Sequence, residues 1–213
     1  MVFDQNGWAI EGLRAQVEYP LRTEPPGAAE LDADALVNHA ASCIDSVSHA
    51  AGKNARRIVA VGVCTFWHSM VGVDGEGHAL TPLYTWADTR PADAARRLQD
   101  CLDADAIHAR TGCALHPSYF PARLLWLAEM QPEVYSRVQR WVSPGEYLFL
   151  QFFGQAGCSL SMASATGLLN QNRCEWDTEL LQALSLSPEH FSPLTDTDQP
   201  AFGLSGEWAE RWP

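Results

Sequence analysis

Residues 58–63, Ile-Val-Ala-Val-Gly-Val, are too apolar and unbroken for a surface strand and predict a buried one. Beyond them the chain must turn at Asp74-Gly75-Glu76-Gly77 and return through a short strand over residues 83–86. The run from Gly62 to Arg90 leaves the core through Trp67-His68 and ends in Trp86-x-Asp88-x-Arg90. Flat apolar faces beside fixed hydrogen-bonding groups suit a polyhydroxylated ligand. The C–H faces of a sugar lie on a ring, and its hydroxyls need paired donors and acceptors.

A chain of 213 residues can bury a sizeable core in one large or two small domains. Its net charge of −12, with only 14 Lys and Arg, argues against nucleic acid as a partner, because neutralising phosphates needs a basic face. Asp4 and Glu11 fall where a secretory signal would need a basic start and an apolar run, so none is expected. The longest uncharged stretch, residues 147–172, contains Gln151, Gly154, Gln155 and Gly157, which argues against a membrane span. Six cysteines without CxxC spacing read as reduced, buried thiols of a cytoplasmic protein. His39, His49, His78, His108, His116 and His190 lack metal-ligand spacing, and no HExxH, GxSxG or Walker-type loop occurs.

Val2 to Asp4, an Asn6-Gly7 turn and residues 8–18 read as a hairpin whose first arm is very short. Asp32 or Asp34 caps a helix running to about Ala51, with Leu36, Val37, Ala40, Ile44 and Val47 on one face. Helices are expected from Pro91 through Leu102, over 104–110, over 121–130 and from Pro132. Further along come a short strand at 142–143, an aromatic helix over 144–153, a helix from Trp176-Asp177 through Leu184 and a turn from Pro188. The small polar stretch 161–166 reads as a loop or helix start. Strands and helices mixed without a strict βαβ repeat predict an α/β domain with a mixed sheet flanked by helices.

Four blocks then stand in order: GVCTFWHSMVGVDGEGHALTPLYTWADTR, TGCALHPSYFPARLLWL, WVSPGEYLFLQFFG and SMASATGLLNQNRCEWDTELLQAL. In order and spacing over nearly the whole chain they resemble the N-terminal domain of the FGGY carbohydrate kinases, in the gluconate- and xylulose-kinase-like branch. The resemblance implies a ribonuclease H-like, actin-type ATPase fold and phosphorylation of a sugar or sugar acid by ATP with Mg²⁺. It places His68 against a sugar hydroxyl, Trp86 on the substrate's carbon chain and Tyr119 at a substrate-contacting position. Trp67 is a wall of that site or part of the core. Asp88 either binds hydroxyls, oriented by Arg90, or forms with Arg90 an ion pair tying the strand to the next helix. Arg123 stands where the family has a lysine, and a planar fork is not equivalent to a point charge. Ser161, Ala163, Ser164 and Thr166 reflect close packing near the site, and Glu146 and Tyr147 serve packing and the helix start.

The departures carry as much as the matches. In the family a DxGT-type phosphate loop precedes the segment that opens this chain, where Met1 to Asp4 resembles the tail of a second strand. The family's catalytic aspartate and its ATP-binding domain would follow Pro213. Residues 1–213 are therefore expected to be the sugar-binding domain alone, truncated at both ends, with the first strand missing. Such a chain supplies acceptor binding and no catalytic residue, and is expected to be inactive by itself. ATP and Mg²⁺ belong to the full-length enzyme, with none expected on this chain alone. The expected partner is a small sugar or sugar acid, with neither nucleic acid nor membrane, and a homodimer is left open. The rival reading is a non-catalytic sugar-binding module.

Overall fold

The computed structural model describes residues 1–195 and 200–212. Strand β1 (Glu30–Leu31) runs straight into α1 (Ala33–Ala51), where the Asp32 side chain accepts from the Ala35 N–H at 2.9 Å and caps the helix. After a 3₁₀ turn the chain reaches β2 (Val71–Val73) and β3 (Leu83–Tyr84). Between them Asp74 Oδ1 accepts from the N–H groups of Glu76 and His78, both at 2.9 Å, and Gly77 takes a φ of 89° that a side chain would resist. Helices α2 (Ala92–Cys101), α3 (Ala104–Thr111), α4 (Phe120–Met130) and α5 (Pro132–Tyr135) follow. Then come β4 (Arg140–Val142) and α6 (Pro144–Phe153), opened by a reciprocal Ser143–Glu146 capping box. The remaining elements are β5 (Cys158–Ser159), α7 (Leu160–Thr166), β6 (Leu169–Asn170), β7 (Glu175–Trp176), α8 (Thr178–Ala183), β8 (Leu194–Thr195) and α9 (Gly206–Arg211).

Strands β1 and β3, β2 and β4, and β6 and β7 pair antiparallel, whereas β5 and β8 pair parallel. A bridge between Met70 and Tyr84 joins the first two pairs, giving a ribbon in the order β1–β3–β2–β4. Successive side chains along a strand point to opposite faces. Met70, Tyr84 and Trp141 accordingly enter one core, with Leu98, Phe120, Leu124, Leu127, Leu168 and Leu181. Val71, Val73, Leu83 and Val142 enter a second core with Val37, Tyr147, Leu148, Phe152 and Trp208. The ribbon is thus a layer between α1, α6 and α9 on one side and α2, α4, α7 and α8 on the other. The expected α/β architecture is present, although the ladders are short.

The expected buried strand at 58–63 is corrected by the structure. No strand is formed there, and Val59 and Val61 are 97% and 72% exposed. A buried strand needs a hydrogen-bonded neighbour and a covering layer. Among the described residues none pairs with this segment, and apolar composition alone cannot supply the partner. The N-terminal turn does form, with the Phe3–Ala9 bridge and Asp4 Oδ1 accepting from the Asn6 and Trp8 N–H groups, but its second arm does not extend to residue 18. Phe3 and Trp8 lie exposed. Residues 161–166 are helix rather than loop, because Ser159 caps α7 by accepting from the Met162 N–H. All six cysteines are free, yet only Cys158 is buried; Cys64, Cys101 and Cys174 are exposed.

Close packing in the first core makes Gly72 exacting. A Cβ there would lie 2.6 Å from Val138 Cγ2 and 2.7 Å from Trp141 Cζ3. Gly72→Ala is expected to cost about 1–3 kcal/mol by overpacking, seen as a lower urea midpoint at unchanged slope. Val59→Ser should leave that midpoint within about 0.5 kcal/mol of wild type, since nothing in the fold buries Val59.

Candidate functional site

The strand that becomes β2 is preceded by a corner at His68, whose φ of 57° places a non-glycine residue in the left-handed region. Such a conformation is costly and persists only where its surroundings hold it. Two bonds do so. The His68 carbonyl accepts from Arg123 Nη1 at 2.8 Å, and the His68 Nδ1 lies 2.6 Å from the carbonyl oxygen of Ala165 in α7. A carbonyl only accepts, so Nδ1 carries a proton, and in the neutral form of such a ring Nε2 is left as an acceptor. Among the described residues Nε2 has no partner.

The His68 ring meets the Tyr119 ring edge to face, with centroids 4.6 Å apart, and the Trp67 ring at 5.8 Å. Tyr119 is the residue at which α4 begins. Gly167 closes α7 at a φ of 77°, and a Cβ there would fall 3.3 Å from Tyr119 Cβ, so the end of α7 lies directly against the site. Of the small residues expected to pack closely, Ala163 and Thr166 are buried and Ser164 is half-buried, whereas Ser161 is exposed. Burial, and then the neighbouring Cys113 thiol, push the Tyr119 phenol above its ordinary range.

Trp67 and Trp86 present their indoles outward, 50% and 58% exposed. The Trp86 backbone is pinned on both sides: its N–H donates to Ser69 Oγ at 3.2 Å, and its carbonyl accepts from Ser118 Oγ at 2.9 Å. The segments bearing Trp67, His68, Trp86 and Tyr119 are thereby brought together. Asp88 is different. Its carboxylate is 1% exposed and turned inward, with both oxygens accepting from Arg90 Nε at 3.1 Å and Oδ2 also accepting from Nη2 at 2.5 Å. Arg90 reaches on to Glu30 at 2.6 Å and lies 4.6 Å over the Trp126 ring. Of the two sequence readings of Asp88, this geometry is nearer the ion pair, but the pair ties the loop after β3 to Glu30 of β1 rather than to the next helix.

Arg123, ambiguous in sequence, is wholly buried. Its guanidinium donates to the carbonyls of His68, Tyr84, Thr85 and Ser118, at 2.8, 3.4, 3.0 and 3.3 Å. Burial draws its pKa down to about 10, partly offset by the charge of Asp88. Among the described residues no group of three or more His, Cys, Asp or Glu side chains could hold a metal ion, and no helix is long and apolar enough to cross a membrane.

The model of the N-terminal domain of the FGGY family of carbohydrate kinases matches residues 1–212. The chain belongs to this family. It is 27% identical to gluconokinase of Bacillus subtilis over 204 residues, covering 93% of this chain and 38% of that protein. It superposes on a ligand-bound xylulose kinase from Lactobacillus acidophilus with a TM-score of 0.86, and on gluconate kinase from the same organism with 0.83. Both are 26% identical, and each match covers 99% of this chain and 42% of the other. The chain thus spans about two-fifths of the length of these relatives. The ribonuclease H-like, actin-type fold implied by the four sequence blocks is the fold of these FGGY kinases, and membership rests on the whole chain rather than on any one motif.

The inward-facing Asp88 leads to a direct expectation. Asp88→Ala leaves Arg90 half-paired in a buried setting, so a loss of stability of about 3 kcal/mol is expected by chemical denaturation. A hydroxyl-binding group on an open surface would cost far less.

Proposed function

We propose that this chain forms the acceptor-binding side of an FGGY kinase that phosphorylates a sugar or sugar acid, of the gluconate or xylulose kind, with ATP. The single observation that carries the reading is the His68 imidazole, whose Nδ1 proton is committed to Ala165, which leaves Nε2 without a partner among the described residues in a ring packed against Tyr119 and the exposed Trp67. A sugar hydroxyl can donate to Nε2 while a C–H face lies on Trp86 or Trp67. Tyr119 borders the same corner. Asp88 contributes through Arg90 and the loop that carries Trp86, rather than by touching the ligand.

The residues beside this corner do not fit the Mg²⁺ that the family implies. Asp88 and Glu30, the acids next to this corner, are consumed by Arg90, and among the described residues no acidic cluster could hold a metal. No catalytic step is therefore assigned to the chain, which orients the acceptor. Orientation without a base or a phosphate clamp yields little turnover. The cytoplasm is the compartment in which such a kinase meets ATP.

Calorimetry on the 213-residue chain with D-gluconate and D-xylulose tests the reading. Saturable binding of one of them is expected, weakened about tenfold in His68→Ala, as the loss of one hydrogen bond to a ligand predicts. No turnover is expected when ATP and Mg²⁺ are added in a coupled assay. Absence of binding to both sugars would overturn the acceptor site, and steady phosphorylation would overturn the division of labour.

A further inference from the structure

A fully buried guanidinium ordinarily faces a carboxylate, because an unpaired charge is costly to desolvate. Arg123 instead spends its two terminal nitrogens on four backbone carbonyls, and among the described residues its Nε has no partner at all. Where those carbonyls lie is informative. One belongs to His68 itself, two to Tyr84 and Thr85 immediately before Trp86, and one to Ser118 immediately before Tyr119. Three segments distant in sequence, the first carrying Trp67 and His68, the second Trp86 and the third Tyr119, therefore converge on one planar cation.

The shortest of the four bonds, at 2.8 Å, is made to the residue in the left-handed conformation. Releasing it would free the His68 peptide to relax, and the ring would lose its approach to Ala165. We propose that Arg123 is a positioning residue that clamps the three segments of the acceptor corner and, through the His68 backbone, fixes the Nδ1–H tautomer and the direction of Nε2. A lysine would offer three donors from one point and could not span this set of carbonyls in the plane of a guanidinium. The functional consequence rests on the acceptor-site reading above, but the structural one does not.

The test uses the full chain with ¹⁵N-labelled histidine, at about pH 8, where an ordinary histidine is neutral. In wild type the His68 ring is expected to show one protonated Nδ1 and one bare Nε2. In Arg123→Lys and Arg123→Gln, checked for a cooperative melt, the two tautomers should mix, and affinity for D-gluconate or D-xylulose should fall about tenfold or more. A folded variant that keeps both the wild-type His68 resonances and the wild-type affinity overturns the proposal, since a residue that merely filled the core would leave both unmoved. Should wild type bind neither sugar, the acceptor reading fails while the tautomer measurement still decides the clamp. If both variants fail to fold, the wild-type Arg123 side chain decides. Slowly exchanging Nη protons with a through-bond coupling to the His68 carbonyl carbon are expected, and rapid exchange without that coupling overturns the proposal.

Discussion

The alternation of side chains along residues 70–73 organises most of this molecule. Met70 and the face of Gly72 go to one core, Val71 and Val73 to the other, so a single ribbon serves as the wall between two sets of helices. The same ribbon delivers the candidate site. The residues just before β2 carry Trp67 and His68, and those just after β3 carry Trp86. Because Met70 and Tyr84 exchange both backbone hydrogen bonds, at 3.0 and 2.9 Å, these two ends cannot move apart.

At that edge of the ribbon the backbone runs out of ladder partners, and two arginines take over. Arg90 gathers Asp88 and Glu30, tying β1 to the loop that follows β3. Arg123 gathers carbonyls that strand pairing would otherwise have to satisfy. The two cations solve different problems. Arg90 neutralises buried carboxylates, whereas Arg123 satisfies backbone acceptors at a corner where the chain takes an unusual conformation. Between them they hold the corner where His68 packs against Trp67 and Tyr119 and where the indoles of Trp67 and Trp86 are exposed.

Much of this was legible in the amino-acid sequence. The cap at Asp32, the helix start at Asp177, the Asp-Gly-Glu-Gly turn, and Pro91, Pro121, Pro132 and Pro144 mark helix and turn boundaries through local chemistry, and the structure has them within a residue or two. Local signals of this kind act over a few residues and need no partner elsewhere. Residues 58–63 mark the limit of such reading. Their composition speaks for burial, but burial belongs to a pairing, and no described segment pairs with them. The two-residue strands at β1, β6 and β7 escaped for a related reason: two residues carry no periodicity.

The sequence by itself determined the family, through four motifs in order, and the local punctuation of helices and turns. It also identified His68, Trp86 and Tyr119 as side chains worth watching. Only the tertiary structure decided how such side chains are held. It turned Asp88 inward to Arg90, committed the His68 proton to Ala165 across 97 residues of chain, and set Arg123 among carbonyls from three separate segments. These are hydrogen bonds between parts of the chain that no local pattern connects. The protonation, direction and exposure of a polar side chain depend on such distant partners, whereas its identity alone does not reveal them.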